Sequence, residues 1–206
     1  MDETPAAPAR KRPKPGERRV QILQALATML EQPGAERVTT AALAARLEVS
    51  EAALYRHFAS KAQMFEGLIE FIEHTVFALL NQIVPPGDSA PAASADTGVR
   101  QAGRVVGVLL QFAEKNPGMA RVMVGDALVF ENERLQQRMN QFFDRVESTL
   151  RQCLRAAAQS AGSDTPTMDA QVRAAVLTAF VMGRLQRFTR SGFRRVPSEH
   201  LDASLA

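Results

Sequence analysis

One cysteine, one tyrosine and no tryptophan stand in 206 residues. With Cys153 alone, no intramolecular disulfide can form and a metal site built on paired thiolates is excluded, so a reducing cytoplasm fits. Aromatic residues make up only 6% of the chain, alanine is abundant, and runs of Val, Ile, Thr and Tyr are scarce. That balance disfavours sheets and leaves an all-α fold as the expectation. Long apolar runs are missing too: the best, at 105–110 and 176–182, are far too short to span a bilayer. The first residues hold no apolar stretch of leader length, so a soluble protein is expected.

Catalytic and metal-binding patterns are equally thin. His57, His74 and His200 are scattered, with no carboxylate or thiol at ligand spacing, so neither metal nor cofactor is expected. A phosphate-cradling glycine loop, a nucleophile elbow and a paired histidine-carboxylate motif are all lacking, which argues against an enzyme.

What is present begins with charge location. Residues 1–19 hold six basic side chains (Arg10, Lys11, Arg12, Lys14, Arg18, Arg19) against Asp2, Glu3 and Glu17, which accounts for the whole formal charge of +3. A basic, proline-rich arm over 1–16 ahead of a neutral body suits a disordered segment lying along phosphates, or a merely solvated tail.

Hydrophobic content of 46% can fill a core, and helical spacing predicts where. A first helix carries Ile22, Leu23, Leu26, Met29 and Leu30 and stops at Pro33-Gly34. Thr39 or Thr40 can cap a short second helix, and Ser50 a third, with Glu51 placed against its N-terminal dipole. Ser60 and Gln63 have capping-box spacing ahead of a long apolar stripe from Met64 through Leu79 and Leu80 to Ile83. Proline, alanine, serine and glycine then predict a flexible loop over 85–98, with helix resuming near Val99. Asn116 ends that helix and can cap the next, with Pro117 in its first turn. A long seventh helix carries Leu128, Leu135, Met139, Phe142, Phe143, Val146, Leu150 and Leu154 on one side. The eighth, about 168–190, is apolar nearly all round, and Ala174, Ala175, Ala179 and Gly183 permit close approach. Two such helices from each of two chains would make a dimer interface, the alternative being the central helix of a monomer.

Chemistry concentrates in TTAALAARLEVSEAALYRHFASK, residues 39–61. Helix, tight turn and second short helix predict a helix-turn-helix, whose second helix enters the major groove of double-stranded DNA. Leu43, Leu47, Val49, Leu54 and Phe58 supply its packing. Ser50, Glu51, Ala52, Tyr55 and Arg56 are left for DNA, while Thr39, Thr40, His57 and Lys61 flank them as phosphate donors. Arg56 suits a guanine edge and Ala52 a thymine methyl, with Tyr55 on phosphate or sugar.

The opening Thr39-Thr40, SEAALYRHF and the following Ser60-Lys61 resemble the DNA-binding domain of the TetR repressor family. The resemblance implies an all-α dimer on a palindromic site, with a three-helix DNA-binding domain over 17–61 and a helical dimerisation domain over 62–206. Glu48 departs from the family pattern, which usually has glycine there, and is expected to strain the turn or take left-handed geometry. MFEGLIEFIE, FAEKNPGMARVMVGDALVFENERLQQRMNQFFDRVE and RFTRSGFRRVP extend the resemblance, over roughly 18–197, to the branch of that family acting in nucleoid occlusion. That branch implies a nucleoid-associated inhibitor of septation which binds the tubulin-like division protein FtsZ. The contact surface maps by resemblance onto Phe71, Val108, Gln111, Lys115 and Asn116. Lys115 stands for an arginine and Gln111 for a glycine in that pattern, so the contact set differs in part. A ligand-released transcriptional repressor is the alternative function. As a single residue Phe71 reads as core, and only the resemblance makes it equally a contact; Cys153 reads as buried packing, and the arginines at 184, 187, 190, 194 and 195 as a solvated face or a partner contact.

Overall fold

The computed structural model describes residues 16–32, 37–85 and 95–205, and it is helical with no strand among them. The arm expected over 1–16, the stop at Pro33-Gly34 and most of the loop expected over 85–98 lie outside the described residues.

α1 (Glu17–Leu30) buries Ile22, Leu26 and Leu30, a strict four-residue repeat along one face. α2 (Thr40–Arg46) is capped by the Thr39 hydroxyl, which accepts from the Ala42 amide, and α3 (Glu51–Tyr55) by Ser50, which accepts from Ala53. Between them the Val49 amide donates to Ala44 O and the Glu48 amide to Ala45 O, the paired bonds of a Schellman ending. Its left-handed position is filled by Glu48, at φ +53°, so the departure from glycine seen in the sequence carries backbone strain.

α4 (Lys61–Ile83) starts at a Ser60 cap and runs 23 residues, about 35 Å at 1.5 Å per residue. Its capping box is shifted: Gln63 accepts from the Ala59 amide, one residue ahead of the cap. The stripe faces inward except at Leu79, which shares the face of Val76 yet is exposed where it lines a groove against α5.

α5 spans Ala95–Lys115, four residues earlier than Val99 and inside the expected loop. Gly98 accounts for the early start, since a Cβ there would sit 2.5 Å from the Cys153 carbonyl oxygen and the helix could not approach its neighbour. α6 (Pro117–Met123) follows, then a 3-10 turn over Asp126–Leu128, so Leu128 belongs to that turn rather than to the next helix. Asn116 occupies the cap position of α6, yet its side chain turns back to donate to Phe112 O at 2.8 Å. α7 (Glu133–Ser160) and α8 (Pro166–Arg190) form an antiparallel hairpin, and α5 lies across α7. A short α9 (Leu201–Leu205) closes the described chain.

One close contact seats the N-terminal unit on the body, and two ion pairs tie α4 to α7. Gly118 of α6 packs so closely on α1 that a Cβ would overlap the Ala27 carbonyl. Arg134 pairs with Glu66 at 2.7 Å. Arg138 grips Glu73 through two bonds of 3.1 and 2.6 Å, a fork that raises the arginine's pKa further.

Candidate nucleic-acid interface and partner face

α3 turns Leu54 inward, and Phe58 just beyond it is buried as well, which leaves Ser50, Glu51, Ala52, Tyr55, Arg56 and His57 exposed along one edge. Tyr55 is 45% exposed, so its ring is outward as the helix spacing requires. The capping hydroxyls of Thr39 and Ser50 accept from backbone amides, which spends a lone pair and leaves each O–H free to donate to a phosphate.

Two of the expected phosphate donors are engaged otherwise. The Thr40 hydroxyl donates to Glu51 Oε2 at 2.5 Å, so its proton serves the carboxylate that fronts α3. The Lys61 ammonium forms an ion pair with Glu131 at 2.5 Å, drawn there because that carboxylate is nearly buried and needs a cation. Both contacts escape sequence reading for one reason: the partners lie 11 and 70 residues away, beyond any local pattern.

Arg19 is a residue that sequence reasoning left out of the DNA-facing set. Assigned to the basic arm's charge, it sits on α1, stacks 4.3 Å from the Phe58 ring centroid and donates to His57 O at 3.2 Å. The exposed guanidinium therefore stands beside the recognition helix. Its spacing from Ile22 and Leu26 placed it on the helix, but nothing local pointed to Phe58.

A second face joins α4 and α5. Phe71 is 47% exposed on the outer side of α4, with Ile69 and Ile72 buried behind it, and its ring lies 6.4 Å from that of Phe112. Beside it a groove of about 310 Å³ is lined by Leu79, Gln82, Ile83, Arg104, Gly107, Val108 and Gln111. Val108 is half-buried at its base, Gln111 and Lys115 are exposed at intervals of three and four along α5, and Asn116 is half-buried at the helix end. Chemically this is an apolar floor with amide and cationic rims, suited to an extended apolar segment carrying acidic groups.

α8 has a third face. Its inner side is Ala170, Ala174, Thr178, Val181 and Leu185, which places Ala174 in the chain's own core and removes it from the expected contact set. Outside lie Met168, Val172, Ala175, Val176, Ala179, Met182 and Gly183, with Val176 62% exposed. Cys153 is buried against Gly98, and burial pushes its thiol up to about 11, out of the reactive range. Among the described residues no cluster of three metal-ligating side chains occurs, and no helix is long and apolar enough to cross a membrane.

Residues 22–68 match the family model described as bacterial regulatory proteins, tetR family, and residues 96–205 match that of a tetracyclin repressor-like C-terminal domain of SlmA-like type. The nucleoid occlusion factor SlmA of Photobacterium profundum is 50% identical over 186 residues, covering 90% of each chain, and that of Vibrio cholerae matches equally. The SlmA of Idiomarina loihiensis is 46% identical over the same span. Among solved structures, the TetR-family regulator PfmR of Thermus thermophilus superposes with a TM-score of 0.69 at 19% identity, covering 90% of this chain and 94% of that one. FadR of Bacillus subtilis, in complex with stearoyl-CoA, gives 0.66 at 14%, covering 90% and 95%.

Proposed function

The chain belongs to the TetR family and, within it, to the nucleoid occlusion factors, and from that membership we propose that it is a DNA-bound dimer that blocks division over the nucleoid by binding FtsZ. The helix-turn-helix reads the site in the major groove, with Tyr55, Arg56, Ala52 and Ser50 toward bases and Thr39, His57 and Arg19 toward phosphates. Two chains pair through α7 and α8, where the apolar stripe from Met168 to Met182 meets its copy, so the site on DNA is palindromic. The α4–α5 face around Phe71, Val108, Gln111, Lys115 and Asn116 takes the division protein.

One observation supports the reading: the likeness to occlusion factors runs at 50% identity through both domains, whereas general TetR neighbours share the fold alone. For that reason the likeness to fatty-acid regulators does not extend to a ligand-released repressor. The test is direct. Purified protein with duplex from its bound chromosomal fragments is mixed with FtsZ, and co-sedimentation and polymer light scattering are measured. Binding and loss of polymer, both weakened by Phe71→Ala, are expected. FtsZ that neither binds nor changes its polymers overturns the proposal.

A further inference from the structure

Arg187, Arg190, Arg194 and Arg195 fall within nine residues at the end of α8 and the turn after it, and all four are exposed. None forms an ion pair among the described residues, whereas Arg134 and Arg138 on the adjacent helix each hold a glutamate. The helix dipole accounts for cations in the last turn, at Arg187 and Arg190, but not for two more beyond the helix end.

The turn that carries them is built. Ser191 Oγ accepts from the Arg194 and Arg195 amides and donates to Phe188 O. Arg194 Nε donates to Ser191 O, which aims its guanidinium and leaves the outer nitrogens to solvent. The Phe193 amide donates to Phe188 O, and the Phe193 ring packs edge-on to Phe188 at 5.1 Å under Arg121. Phe193 tolerates a left-handed φ of +63° for that ring contact, so the backbone from which Arg194 and Arg195 project is fixed.

Its place is fixed too. Thr189 donates to Asp126, the first residue of the 3-10 turn that leads to Glu131, and Glu131 holds Lys61 at the start of α4, directly after the recognition unit. Arg121 lies on α6, whose Gly118 packs on α1. The arginine corner thus hangs from the end of the body that bears the helix-turn-helix.

We infer that this corner is a second DNA contact, in which Arg187, Arg190, Arg194 and Arg195 hold phosphates of the duplex beside the bases read by α3. Four guanidiniums without carboxylate partners, set on a rigid turn, match a regular array of phosphate charge and carry no base preference. The inference rests on the DNA-binding reading and adds to it a sequence-independent share of the affinity.

The experiment measures affinity against salt for the full chain on two duplexes: one selected from chromosomal fragments bound by the wild type, the other the same site trimmed at both ends to its recognised bases. On the longer duplex, Arg194→Gln/Arg195→Gln lowers the slope of log K against log salt by about 0.9 for each phosphate no longer held, roughly two in all. On the trimmed duplex the variant matches the wild type, and Arg194→Lys/Arg195→Lys restores the slope on the longer one. Far-ultraviolet dichroism and sedimentation show that the variants fold and dimerise; the pair Arg187→Gln/Arg190→Gln provides an independent set. An unchanged slope on the longer duplex with both pairs overturns the inference while leaving the helix-turn-helix reading intact. Weakened binding to immobilised poly-glutamate with DNA binding unaltered also overturns it, in favour of an acidic protein. A wild type that binds no duplex sinks both readings.

Discussion

The Lys61 ammonium lies 2.5 Å from Glu131, with the lysine side chain 30% and the glutamate 8% exposed, so a cation at the edge of the DNA-binding unit neutralises a carboxylate sunk in the body. The asymmetry decides what each change does. Lys61→Ala strands a buried charge and is expected to cost about 2 kcal/mol, below the usual penalty because the pair is partly solvated. Glu131→Gln keeps the shape, frees Lys61 for phosphate and is expected to cost less while tightening DNA binding a few-fold. Denaturant melts and DNA titrations of both variants check this; equal stability losses would show the pair to be a plain surface bridge.

Tyr55→Ala separates reading from folding. The outward ring predicts a loss of about 1–3 kcal/mol in DNA affinity with an unchanged melting midpoint. A lowered midpoint with normal affinity per folded molecule would place the ring in the core.

Glu48→Gly is expected to stabilise the protein by up to about 1 kcal/mol, because glycine adopts a φ of +53° without the Cβ clash that glutamate bears. Chemical denaturation reads the sign, and a destabilised variant would mean that the glutamate side chain compensates for its own backbone.

Val176→Asp puts a charge in the middle of the exposed stripe of α8. If that stripe is the dimer seam, sedimentation shows monomers and affinity for a palindromic duplex falls by at least about tenfold, since one half-site then binds alone. Intact dimers would move the seam elsewhere.

The parts of the fold that were legible in the sequence are those governed by near neighbours. Caps at Thr39, Ser50 and Ser60, the Pro117 helix start and the inward faces of α1 and α7 all follow from residues within four positions. The start of α5 was hidden because alanine, aspartate, threonine and glycine look like a loop until Gly98 meets Cys153, more than 50 residues on. The outward turn of Phe71 was equally opaque, since a phenylalanine among isoleucines has no local mark of exposure. Of the DNA edge, the exposed set from Ser50 to His57 followed from helix spacing, whereas the diversion of Thr40 and Lys61 and the placing of Arg19 depended on tertiary contacts.

α4 has a consequence of its own. Lys61, at its first turn, directly follows the helix-turn-helix, and Phe71, ten residues along and about 15 Å away, lies on the α4–α5 face proposed for the partner. No loop or proline separates them, and Gly67 between them is helical and packed against Leu23. A load applied at one end is therefore carried to the other as motion of a single stiff rod, and the two faces can respond to each other without either one unfolding.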